Sequence, residues 1–189
     1  MALKKVPVFP NWFPYNDMLL DGHLKVEPHE GCKTRSWYWD YRGPVLFYNS
    51  LRTARPGVEA YKYEDGSAKH KVIVGIGELV DVRPLTYKEA LQMVCNFNNL
   101  SFEKVEKILR ENGFSTEENP EEDVVDSPLF GFYEFGPYIA PFETGFFFKN
   151  LKRFKEPVPF NWPQGPIKPI FTKIVVGSKL DAAIKKSGF

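Results

Sequence analysis

The stretch Arg35-Ser36-Trp37-Tyr38-Trp39-Asp40-Tyr41-Arg42-Gly43-Pro44-Val45-Leu46 places two arginines and four aromatic side chains ahead of a turn and an apolar strand. Gly43-Pro44 is the turn signal, and Val45-Leu46-Phe47-Tyr48 has the β-branched and aromatic character of a strand. If the residues before the turn are extended too, Trp37, Trp39 and Tyr41 share one face and read as core. The same residues also suit a chemical use. Cationic side chains neutralise phosphates while flat aromatic faces stack on unpaired bases, and single-stranded RNA recognition combines the two. Arg35 and Arg42 fit either such a contact or a structural ion pair with Asp40 or Glu27.

Upstream, residues 1–10 read as a short strand or arm stopped by Pro10. Residues 15–21 carry apolar side chains at helical spacing and close on Gly22, a C-cap residue. The polar run 23–34 reads as a surface loop that delivers the chain into Arg35. Downstream, residues 57–71 hold the turn former Asp65-Gly66 and predict a hairpin-like excursion. In the strand 72–82, Val72, Val74, Ile76, Val80 and Val82 fall in one register, with Glu78 among them. Gly75 and Gly77 allow a bulge that would move that carboxylate off the buried face.

Thr86 is placed to cap a helix over 87–97, with Ala90, Val94 and Phe97 at helical spacing. Ser101 caps a second, with Val105, Ile108 and Leu109 as its stripe and Gly113 as its stop. Residues 116–128 read as an acidic loop, and residues 130–148 as an aromatic-rich return to the sheet in which Phe146-Phe147-Phe148 is buried on both faces. The basic run 149–154 reads as a loop, 170–176 as a last strand, and Ser178 as the start of a short basic helix.

With 189 residues, 43% of them hydrophobic, one ordinary core is the expectation, so residues 1–189 are read as one domain with a helical and acidic-loop insertion at about 86–128. Sixteen prolines and 16% aromatics favour short strands and stiff turns over a helical bundle. The net charge of +1 gives no global field. The charge is unevenly spread: residues 101–143 hold 11 acidic and 3 basic side chains, residues 144–189 hold 2 and 9. Cys32 and Cys95, without a signal-peptide pattern, point to a reducing cytoplasmic interior, and no apolar run approaches the roughly 20 residues that span a bilayer.

Gly75-Ile76-Gly77 lacks the third glycine and following helix of a dinucleotide site. His23, His29 and His70 are scattered and, with the two distant cysteines, offer no metal-ligand spacing; His23, Glu27, His29 and Glu30 share one loop that could chelate an ion, but neither a metal nor a cofactor is expected. What remains is the basic and aromatic set Arg35, Trp37, Trp39, Tyr41 and Arg42, with Lys149, Lys152 and Arg153 as a second wall.

Leu19-Leu20-Asp21-Gly22-His23-Leu24-Lys25-Val26-Glu27, then Arg35-Ser36-Trp37 and Tyr41-Arg42-Gly43-Pro44-Val45-Leu46, resembles the ASCH family, the activating-signal-cointegrator homology domains. Two further blocks, residues 73–86 and 147–159, agree in order. The resemblance implies an α+β, PUA-like mixed β pseudo-barrel with peripheral helices, related to the YTH and EVE readers of RNA and modified bases. It places RNA or a modified nucleoside beside Lys25, Glu27, Arg35, Trp37, Tyr41 and Arg42. The family lysine is met either by Lys25 with Glu27, residues 28–34 being inserted, or by Lys33 in Gly31-Cys32-Lys33-Thr34 with the glutamate absent. The first is preferred because Leu19-Leu20 supplies the preceding helix. Some small relatives hydrolyse acetylated cytidine with a lysine, a threonine and a glutamate. Lys25, Glu27, Lys33, Thr34 and Glu78 are therefore the catalytic candidates of an alternative hydrolase reading, with Glu89 a further substitute for the glutamate. A third reading is a protein-interaction scaffold built on the acidic loop and the helices. The sequence leaves the oligomeric state open.

Overall fold

A computed structural model describes residues 5–35, 37–53, 70–111, 144–163 and 168–189. The chain builds an α+β fold around one mixed sheet of six strands in the order β2-β5-β4-β3-β1-β6. The strands are β1 (Lys5–Phe13), β2 (Gly31–Arg35), β3 (Gly43–Thr53), β4 (Val72–Pro84), β5 (Thr144–Pro159) and β6 (Ile170–Lys173). The helices are α1 (Tyr15–Leu20), α2 (Tyr87–Asn98), α3 (Phe102–Glu111) and α4 (Lys179–Lys186). β1 and β3 are parallel; every other pair is antiparallel.

The sheet is curled and stays open. Three strand steps separate β1 from β5, about 14 Å in a flat sheet, yet the Phe9 ring of β1 lies 5.4 Å from Phe146 and 6.1 Å from Phe148 of β5. The Arg35 Nη2 at the end of β2 donates to the Pro10 carbonyl of β1 at 3.1 Å. These contacts draw the β2 edge toward β1 without a strand ladder between them. Phe9, Phe47, Phe146 and Phe148 fill the concave side through edge-on ring contacts. Phe147 points the other way, under the Arg83 guanidinium (4.2 Å) and against the His29 ring (4.8 Å). The three phenylalanines are thus buried on both faces, as the pattern predicted. A second cluster of Val6, Val8, Leu46, Tyr48, Ile73, Ile76, Phe154 and Val158 is covered by Ile184 of α4.

Several expectations are corrected. Residues 23–34 are not all surface loop: Gly31–Arg35 is β2, with Cys32 and Lys33 buried, because it pairs with the phenylalanine run of β5. Residues 149–154 are not a loop either; β5 continues through them, bending at Asn150, whose φ of +51° asparagine tolerates better than most side chains. β1 does not stop at Pro10. Its pairing with β6 ends at Val8, so beyond that point only β3 needs its donors. The single register expected in β4 is broken: shifts at Ile73/Gly75, Ile76/Glu78 and Leu79/Asp81 send Val72, Val74, Leu79 and Val82 to one cluster and Ile73 and Ile76 to the other. The bulge expected beside Glu78 is present, and its carboxylate is half-exposed, accepting from Asn150 Nδ2 at 3.0 Å. Residues 37–42 are not a strand.

The helix starts are as read. Thr86 and Glu89 form a reciprocal capping box on α2, while Ser101 and Ser178 accept from the backbone N–H groups of Lys104 and Asp181. In α2 it is Leu91, Met93 and Cys95 that are buried; the side chains of Ala90, Val94, Phe97 and Leu109 lie outside the described residues, as do Asp65-Gly66, Gly113, the acidic loop 116–128 and residues 130–143. No helix among the described residues is long and apolar enough to cross a membrane.

Candidate functional site

α1 carries two fully buried polar side chains, Asn16 and Asp17, beside apolar Met18 and Leu19. A six-residue helix has little stability alone, and this one is held by what those polar groups reach. Asn16 Nδ2 donates to the Tyr48 carbonyl at 2.8 Å, and Asn16 Oδ1 accepts from Lys33 Nζ at 2.6 Å. Asp17 accepts from Asn49 Nδ2 and from Arg153 Nη1, both at 2.6 Å. Arg153 Nη2 also donates to the Asp17 carbonyl and to Asp21. α1 thereby ties β2, β3 and β5 together.

Burial acts differently on the members of this network. It pulls the Lys33 amine well below the ordinary lysine range, with the Arg35 charge adding to the effect. At Asp17 burial wins and raises the carboxyl, against its hydrogen bonds from Arg153 and Asn49. Burial also opposes the charge on Arg153, but that side chain keeps about a third of its exposure, and Asp17 and Asp21 together raise its pKa. Asn49 Oδ1 is buried and has no hydrogen-bond partner among the described residues.

Adjacent residues of a strand face opposite sides, so Lys33 and Arg35 share the concave side while Cys32 and Thr34 face away from it. Lys33 and Thr34 are therefore not brought together. The Arg35 guanidinium carbon sits over the Phe9 ring, 4.9 Å from its centroid, and the side chain donates to the Thr34 and Pro10 carbonyls. Trp37 follows and covers the same end: its ring lies 5.0 Å from Phe146, the strand partner of Lys33, and 6.0 Å from Phe9. Lys168 Nζ stands 5.7 Å over the Trp37 ring. Lys33, Arg35, Phe9, Phe146 and Trp37 thus converge at one end of the curl.

Trp39 stacks on Tyr41 at 4.8 Å, and the Tyr41 hydroxyl donates to the Pro44 carbonyl. Tyr38, in the same segment, is 59% exposed. Arg42 holds this segment by donating to the carbonyls of Trp39, Tyr41 and Val82 and by pairing with Asp81 at 3.7 Å, rather than with Asp40 or Glu27. Lys25 and Glu27 are exposed and paired with each other. Pro44, Glu78 and Lys149 form one row across β3, β4 and β5, so Lys149 lies at the sheet end that carries Arg42. Lys152, exposed beside Ile76, is a row group further along, and Arg153 is engaged by α1. Both Glu89 oxygens accept from Arg83, which makes that carboxylate a brace for α2. Among the described residues no three of His, Cys, Asp and Glu gather as metal ligands.

The Asn16, Asp17 and Asn49 part of the network was not anticipated. Its signal was a polar residue set inside an apolar run: Asn49 directly after Val45 to Tyr48, and Asn16-Asp17 directly before Met18-Leu19-Leu20.

No family model matches the chain. No curated protein matches it either. Among solved structures, ASCH from Zymomonas mobilis aligns over 96% of this chain and 93% of its own, at 12% identity and a TM-score of 0.37. Structures of two mutants of that Zymomonas mobilis protein align at 12% and 11% identity, with TM-scores of 0.37 and 0.35, over 99% and 96% of this chain and 98% and 96% of theirs. Values this low transfer no activity.

Proposed function

We propose that this protein binds single-stranded RNA, or a modified base within it, at the end of the curled sheet where Arg35 and Trp37 cover Phe9 and Phe146. The observation that carries the reading is the position of residues 37–42. They lie outside the sheet with Trp37, Trp39 and Tyr41 only half-buried and Tyr38 exposed, next to Lys168 and Arg42. Aromatic faces beside cations suit unpaired bases on a phosphate backbone. Arg35 donates to the Thr34 and Pro10 carbonyls and so ties β2 to β1, while Arg42 donates to the Trp39, Tyr41 and Val82 carbonyls and holds the aromatic segment in place. A fluorescent single-stranded RNA panel tests this. Salt-sensitive binding that Trp37→Ala weakens by roughly tenfold supports it; absence of binding at low salt refutes it.

A second reading is favoured by one observation, the buried Lys33 with its depressed pKa. A neutral amine is the form that accepts a proton or attacks a carbonyl, which suits a hydrolase of a modified nucleoside. Prolonged incubation with acetylated cytidine, wild type against Lys33→Met, decides it: deacetylation lost in the variant supports the reading, and no turnover by the wild type removes it.

A further inference from the structure

The β1–β6 pair sets Lys5 directly opposite Lys173. In an antiparallel ladder such partners point to one face with Cβ atoms about 5 Å apart, and like charges there repel. Among the described residues neither lysine has an ion-pair partner. Two residues along β6 on the same face is Phe171, 47% exposed, with Lys5 Nζ 5.3 Å over its ring. The Phe171 ring meets Tyr41 at 5.8 Å and Trp39 at 6.4 Å, both edge-on. The outer strand pair is therefore continuous with the 37–42 segment. Asp40 is the sole carboxylate of that segment, against three lysines, Lys5, Lys168 and Lys173, that have no ion-pair partner among the described residues.

We propose that this rung is a phosphate track: Lys5 and Lys173 take the backbone of a single-stranded RNA whose bases stack on Phe171 and continue onto the Trp37 end. The inference rests on the RNA reading above and adds a surface to it. An arriving phosphate would relieve the repulsion that the free protein carries across the rung, which makes binding and stability respond oppositely to one substitution. Lys173→Glu turns a repelling pair into an attracting one.

The test measures Tm and the affinity for a fluorescein-labelled oligouridylate of about 12 nucleotides for wild type, Lys173→Glu, Lys173→Arg and Phe171→Ala. The expected result is a Tm for Lys173→Glu at or above wild type together with about tenfold weaker binding and a shallower salt dependence. Lys173→Arg binds as wild type, and Phe171→Ala binds about fivefold or more weakly. If wild type binds and Lys173→Glu binds equally well, the track is overturned while the RNA reading stands. If wild type fails to bind at low salt, both fall. Binding to phosphatidylserine vesicles with none to oligouridylate would assign the patch to a lipid surface and overturn the track.

Discussion

Lys33 Nζ donates to Asn16 Oδ1 at 2.6 Å with the lysine only 2% exposed, and this bond joins the edge strand β2 to the helix that seats on the concave side of the sheet. It is the sole hydrogen bond of that amine among the described residues. A buried ammonium with one partner is costly, which is why burial drives Lys33 toward the neutral form.

Lys33 should therefore make stability depend on pH. Its pKa is depressed in the folded state and near the ordinary 10.5 when unfolded, so between those values the unfolded chain binds more protons. Stability rises with pH across that window and is lost as pH falls through the folded value. Urea midpoints from pH 7 to pH 10 should climb more for wild type than for Lys33→Met. Parallel profiles would contradict a depressed Lys33.

Arg153 and Asp17 predict a non-additive pair. Arg153→Met leaves the fully buried Asp17 carboxylate without its guanidinium and should cost about 2–3 kcal/mol, somewhat below the value for a wholly buried pair because Arg153 is partly exposed. Asp17→Asn combined with Arg153→Met should recover about 1 kcal/mol or more of that loss. Denaturant unfolding of the three variants measures the coupling, and simple additivity would show that the pair is not energetically linked.

Much of the fold was legible, and the failures share a cause. Thr86, Ser101 and Ser178 announced their helices because capping is a local matter. Gly31 to Arg35 and residues 149–154 did not read as strands because their pairing is long-range. Polar residues such as Lys33 and Asn150 are acceptable in β2 and β5 only once α1 and the β4 bulges are in place. Within the candidate site, Arg35, Trp37 and Tyr41 were picked out by residue type. Phe171 and Lys5 were not, since only the β1–β6 pairing brings them beside Tyr41.

Gly75 is a point of close backbone approach between β4 and β5. A Cβ there would come within 2.5 Å of the Lys152 carbonyl oxygen and 2.8 Å of Leu20 Cδ1, and the backbone oxygen cannot step aside without opening the β4–β5 pairing. Gly75→Ala should destabilise by about 2 kcal/mol or more, a Tm loss of roughly 5 °C for a chain of this size. A Tm within a degree of wild type would show that β4 and β5 are further apart than this packing requires.

Fluorescence anisotropy with a labelled single-stranded RNA across a salt series measures whether the 37–42 end of the curled sheet holds single-stranded RNA. Binding should weaken steeply with salt and drop about tenfold in Trp37→Ala with the far-ultraviolet circular dichroism unchanged. Binding that Trp37→Ala leaves intact, or no binding by the wild type at low salt, would contradict it.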